Sequence, residues 1–552
     1  MSKNEFSKRK SAFAFAPFFY YVSRYNTTAM TIRFTFIALV AAVTVASAQQ
    51  ISPIRKTVET SKRAIRLDVP MTNSIRKAFN AGTRDFSGKP GPNYWQLETD
   101  FTINASLDPA TQTITGAEKI HMHNNSKDDL KTIALRLDHN IFRPEAQRGG
   151  STPAEATDGM VLTSLKVDGQ SIDLTTASVG RSNPGGGKHT VSGLTQTIAM
   201  INLATPINAG KSAVIEIEWR TKLPGGNIGR GHRMTQRFDS KLFQPTQWFP
   251  RLAKYDDLRG WETSPYLGPS EFYNNFGKFD VRLTVPGGWI VSGTGVLQNP
   301  SEVLTETARQ RLSSVLNSDN EVIIVGDAEK GAGKATAAGE KLTWHFIADK
   351  VNDFAWATAE NFNWKATRAT IPGKGPIPIH MVYLPERARY FEQAGKITRH
   401  ALEFYSTLWA PYPFPQLTLQ DGPSAGMEYP MVINSNQGAA DHETAHQWWP
   451  MVVGTNETRY GWMDEGFNQY MNILSDAHSE GKPYNLDRLG QSYGRMSGNE
   501  SEAPMMWSAN DAGSGYGFQT YSKTPLMLSM LGGIVGDEAV INAMKKYTTT
   551  WA

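Results

Sequence analysis

Cysteine is absent from the 552 residues, so no disulfide braces the fold and no thiolate serves as nucleophile or metal ligand. Any metal must therefore sit on histidine and carboxylate side chains. Long apolar runs are missing as well: the longest, Phe34 to Val45, falls short of the ~20 residues that a bilayer span takes. No stable membrane span is therefore expected in the mature chain, with a retained membrane anchor as the alternative. Charge is nearly balanced, at +4 overall, and six basic residues against Glu5 in the first 48 positions account for +5, which leaves a body near −1. Such a body has no basic stripe for nucleic acid.

What is present is the composition of a folded, multidomain protein. Apolar residues make up 40%, charged residues 20%, and there are 14 Trp, 19 Tyr and 25 Phe. At the amino terminus, Arg33, the apolar run and Ala46-Ser47-Ala48 have the order of a signal peptide cleaved before Gln49. Residues 1–48 are accordingly read as a signal peptide, with Met30 as an alternative start and residues 1–29 as an upstream extension. An exported protein, periplasmic or extracellular, is expected. Residues 49–93 are polar and weakly patterned, and read as a leader.

Alternation of period two marks strands between Tyr94 and Arg368, as in Phe101-Thr102-Ile103-Asn104-Ala105 and Ala213-Val214-Ile215-Glu216-Ile217, with turns at Asn183–Gly187 and Pro224–Asn227. Residues 94–368 are thus expected to form a mostly antiparallel β domain. Ser301–Leu316 has helical spacing within it, and Gly331–Gly339 reads as a flexible surface loop. Beyond residue 369 the texture becomes helical, with candidates at Pro385–Trp409, Ala440–Trp449, Trp462–Ala477 and Pro525–Gly532, and a short β portion near Ile377–Leu384. The fold class is α+β, multidomain. The ending Tyr547–Ala552 has neither a terminating glycine nor a polar tail, and 369–552 reads as a domain cut short.

His442-Glu443-Thr444-Ala445-His446 matches H-E-x-x-H. On a helix, positions i and i+4 share a face, so both imidazoles can reach one zinc ion while the intervening glutamate addresses the metal's water. Two idle histidines on a solvated helix are the bland alternative. Glu465 follows His446 after 18 residues, within Gly461-Trp462-Met463-Asp464-Glu465-Gly466-Phe467, and completes the three-ligand set of a catalytic zinc.

H-E-x-x-H, eighteen residues, then Glu in W-x-x-E-G-F resembles the zinc aminopeptidases typified by membrane alanyl aminopeptidase and leukotriene hydrolase, over roughly Tyr94 to the end. That resemblance implies a thermolysin-like, mainly helical peptidase domain, one Zn(2+) per chain, and peptide substrates with a free amino terminus. It also implies roles for other residues. Gly426-Met427-Glu428-Tyr429-Pro430 resembles the family's G-x-M-E-N motif, so Glu428 is expected to hold the substrate's α-ammonium, with Gly426 and Met427 beside it. Tyr521 falls where the family places a tyrosine that donates to the tetrahedral intermediate. Gln247, with Gln244 as its competitor, lies in the segment that resembles the lining of the first specificity pocket. Two departures stand out: Asn is replaced in the motif, and 14 positions separate Glu428 from His442, a short gap for the family.

Trp448 and Trp449 are expected in the core and Asp441 at the helix N-cap. The mechanism expected is metal-assisted hydrolysis with Glu443 as the base. A zinc endopeptidase and an inactive binding scaffold are the alternatives; Glu428 separates the first, and the intact ligand set argues against the second.

Overall fold

Strand Thr113–His123 shows how the β region is made: every second side chain is buried, so one face of the pleat carries Ile114, Glu118, Ile120 and Met122 inward. It pairs antiparallel with Glu98–Asp108, with Phe101 opposite Ile120 and Ile103 opposite Glu118. The computed structural model describes residues 71–149, 153–175, 187–226, 234–239, 241–268, 270–484 and 487–552. The signal-peptide reading and the turn at residues 183–186 lie outside them.

An eight-stranded sheet has these two strands at its centre, in the order Val296–Leu297, Lys341–Val351, Gly277–Pro286, Glu98–Asp108, Thr113–His123, Ser212–Lys222, Met160–Val167, Gln170–Ser171. All its pairings are antiparallel except Glu98–Asp108 with Gly277–Pro286. Smaller sheets complete the region around an aromatic core in which Trp219, Trp248, Phe249, Phe279, Phe354 and Trp356 interlock. Two of these tryptophans have partners for their N–H groups. Trp248 Nε1 donates to Phe354 O at 2.9 Å and Trp219 Nε1 to Trp248 O at 3.1 Å.

A six-stranded mixed sheet runs Val322–Val325, Asn363–Ile371, Gly375–Tyr383, Leu417–Gln420, Val432–Ser435, Gly426–Tyr429. Residue 368 lies inside Asn363–Ile371, so the boundary expected between residues 368 and 369 falls within a strand of this sheet. Helix Ala394–Leu408 packs on it, preceded by a 3-10 turn at Pro385–Tyr390. Ala440–Ala445 is shorter than its periodicity predicts, since Pro450 follows and the chain turns away after His446. A π turn at Trp462–Gly466 continues into Phe467–Glu480, and another at Gln519–Lys523 continues into Thr524–Val535. Among the described residues no helix is long and apolar enough to cross a membrane.

Two expectations are corrected. The Gly331–Gly339 stretch is no free loop: Thr305 N donates to Ala335 O at 2.9 Å, Ala337 N to Val303 O at 2.9 Å, and Ala335 and Thr336 are buried. Asp441 is no N-cap but an interior residue of its helix, whose carboxylate accepts from Tyr405 Oη at 2.6 Å and Ser475 Oγ at 2.6 Å. The described part of the leader also has a role. Helix Asn73–Ala81 leads to Arg84, which binds Asp257 at 2.6 Å and lies 4.7 Å from the ring of Trp551, so it ties residues near both ends of the described chain together.

Candidate active site

Helix Ala440–Ala445 puts His442 and His446 one turn apart, and the π turn at Trp462–Gly466 brings Glu465 up against them. His442 Nε2 lies 3.2 Å from His446 Nε2 and 3.1 Å from Glu465 Oε2, and His446 Nε2 lies 3.3 Å from that same oxygen. Ligands about 2.0–2.1 Å from a tetrahedral zinc stand about 3.3 Å from one another. The residues therefore fit the ion. Among the described residues, His442, His446 and Glu465 form one of three groups compact enough to hold a metal, and they alone supply the mixed imidazole and carboxylate set zinc takes with two histidines.

The far nitrogens of both rings are fixed. His442 Nδ1 donates to Asn472 Oδ1 at 2.7 Å, and Asn472 Nδ2 in turn donates to Asp441 Oδ2 at 3.1 Å. His446 Nδ1 lies 2.8 Å from Trp449 O and 3.0 Å from Asp464 Oδ1. With the proton on Nδ1, each Nε2 presents its lone pair to the ion.

Glu443 is buried beside the ligands, and burial pushes its carboxyl up to about 7 against the opposing pull of His442 and His446. Tyr521, 36% exposed, lies with its ring 5.9 Å from that of His442. Desolvation of the phenol and the negative charge of Glu465 raise its pKa, which keeps it a hydrogen-bond donor.

Glu428 lies on the sheet's edge strand Gly426–Tyr429, is 2% exposed, and has Oε1 4.0 Å from His446 Nδ1. Burial raises its pKa, with His446 pulling the other way. The short gap to His442 is explained by the path: strand Gly426–Tyr429 turns through Met431, φ +63°, into Val432–Ser435 and at once into the metal helix. Gly426 faces Glu443, since a Cβ there would stand 3.4 Å from Glu443 Oε1. Met427 is not brought to this group; it is buried among Phe142, Tyr266, Phe272 and Tyr429. Gln247 gives its Nε2 to Tyr429 Oη at 2.7 Å, and Gln244 bonds the backbone of Gln420 and Ser424.

Three further carboxylates went unread in the sequence. Glu271, Glu457 and Asp464 meet Glu428 with oxygens within 4.8 Å of one another, all buried. Desolvation, followed by the charges of Glu428 and Glu271, raises the pKa of Glu457. Asp464 had a signal in its place beside Glu465; Glu271 and Glu457 had none.

Two histidines and a glutamate that converge beside a further buried glutamate, with a β region packed alongside, have the arrangement of a zinc metallopeptidase site. Residues 398–552 match the Peptidase family M1 domain. Among solved structures, the M1 zinc metallopeptidase from Deinococcus radiodurans superimposes with a TM-score of 0.52 at 14% identity, covering 85% of this chain and 90% of that one. A mutant of that enzyme bound to a Tyr-Ser-Ala substrate gives 0.51 at 14% identity, covering 84% and 89%. A two-domain M1 zinc metallopeptidase mutant bound to L-tryptophan gives 0.53 at 14% identity, covering 84% and 89%. No curated protein sequence matches.

Proposed function

We propose that this chain is a zinc-dependent aminopeptidase that removes amino-terminal residues from peptides. The observation that carries the reading is the convergence of His442 Nε2, His446 Nε2 and Glu465 Oε2 within 3.3 Å of one another, next to the carboxylates of Glu443 and Glu428. The six-stranded sheet flanked by the metal helix supports a thermolysin-like catalytic domain. His442, His446 and Glu465 would hold a zinc ion, which would supply polarisation of the scissile carbonyl and acidification of the attacking water.

The chain's own residues do the rest. Glu443, poised near neutrality, takes a proton from the water on its carboxylate and passes it to the leaving amine. Tyr521 donates its phenol hydrogen to the carbonyl oxygen as negative charge gathers there. Glu428 binds the α-ammonium, which counts the substrate from its amino end and makes the enzyme an exopeptidase. The peptide bound in the Deinococcus mutant supports peptides as the substrate class.

Aminoacyl chromogenic substrates, assayed with and without a chelator, test the reading. Turnover that needs zinc and a free amino group is expected; equal cleavage of amino-blocked substrates contradicts it. Export belongs to the same proposal, and sequencing should find Gln49 at the mature amino terminus, against an intact Met1 or Met30.

A further inference from the structure

Glu428 Oε1 has no hydrogen-bond partner, so the place of this carboxylate depends on the strand that carries it. Successive strand residues point to opposite faces. Tyr429 accordingly faces away from Glu428, into the apolar cluster with Met427 and Phe272. Its hydroxyl meets Gln247 Nε2 at 2.7 Å, close to the charge of Arg251. Its carbonyl accepts from Gln447 Nε2 at 2.8 Å, and the same amide's Oε1 accepts from Met431 N at 2.9 Å.

Gln447 follows the metal-binding His446 directly and is fully buried. Only one orientation of its amide suits a carbonyl on one side and an N–H on the other. The strand bearing Glu428 is thus pinned through its backbone to the residue that follows His446, and through a side chain to the β region. Gln247, at φ +50°, and Met431, at φ +63°, both occupy the left-handed region, which costs about 1–3 kcal/mol for a residue with a side chain. Both strained residues serve this one attachment.

We propose that Tyr429, clamped by Gln247 and Gln447, is the positioning residue that sets the reach of Glu428 toward the substrate's ammonium, and so sets the selectivity for a free amino terminus. Tyrosine in place of the motif's asparagine then has a function: its length carries the strand's anchor across to the β region. Gln247 acts here through Tyr429.

The inference rests on Glu428 binding the ammonium, and the test separates the two. Competitive inhibition constants of L-leucinamide and N-acetyl-L-leucinamide are measured for the zinc-loaded wild-type, Y429F and Q247L proteins, along with zinc content and melting temperature. Loss of one hydrogen bond should raise the constant for L-leucinamide about three- to tenfold and leave that of the acetylated compound unchanged. Zinc content should stay at the wild-type level. Q247L breaks the same bond from its other end, so poor folding of one variant leaves the second to decide. A parallel loss for both compounds, or no change in either variant, overturns the role of Tyr429. Wild-type protein that fails to discriminate the two compounds overturns the role of Glu428 itself.

Discussion

At the scale of single residues, the proposed mechanism gives Glu443 and Tyr521 separable duties. Replacing Glu443 by Gln keeps the shape and removes the base, so hydrolysis should fall at least about a thousandfold in kcat while zinc stays bound. Elemental analysis beside the assay checks both halves. Tyr521→Phe removes only the donor to the developing oxyanion; kcat should drop about 100- to 1000-fold with KM little changed. A Tyr521→Phe protein that lost affinity and kept its turnover number would place the phenol in substrate binding instead. Glu443 could be singled out because H-E-x-x-H fixes a helix face, and Glu465 because it lies inside one local motif, whereas Tyr521 was singled out only through the family resemblance. Glu271 was not legible, since it reaches Glu428 across 157 positions and nothing around Ser270 and Phe272 marks it.

Between elements, helix Phe467–Glu480 orients the metal site, because Asn472 takes the Nδ1 hydrogen of His442 and Asn468 Nδ2 donates to His442 O at 3.0 Å. Such supporting partners are worth about 10- to 100-fold in metal affinity. N472A should weaken zinc binding by that factor in a chelator competition, with the far-ultraviolet spectrum unchanged. The β region grips the same machinery from the other side. Burial opposes charge on Glu262, yet Arg459, Ser264 and Asn456 bond its carboxylate and hold it at about 2. Residues 456 and 459 lead directly to the turn bearing Glu465. Helix existence in this half was readable from periodicity; the π turns at Trp462–Gly466 and Gln519–Lys523 were not, because one extra residue per turn leaves no pattern in the sequence. The ordering of Gly331–Gly339 was hidden too, as its composition is that of a linker while its backbone bonds go to residues 303 and 305.

Across the whole molecule, stability should depend on pH through two histidines remote from the metal. Burial lowers His139 to about 4, where its Nε2 lies 2.9 Å from Thr246 O and its Nδ1 2.8 Å from Thr221 Oγ1; burial likewise lowers His380 to about 4. Both are neutral when folded and take a proton when unfolded below pH ~6.5. Their contribution is complete above pH 6.5 and is lost as pH falls toward 4. Each represents a loss of about 3 kcal/mol over that window. Denaturant titrations from pH 7.5 to 4.5 should show the decline, and H139Q should flatten it; an unchanged slope in that variant would contradict the assignment.

Zinc stoichiometry is the most direct test of the central claim that two imidazoles and one carboxylate share a single ion. Wild-type protein purified without added chelator should contain one zinc per chain, and H446A and E465A should each contain well under a tenth of that while remaining folded. Wild-type levels of zinc in either variant, or a metal-free wild type with full peptidase activity, would contradict it.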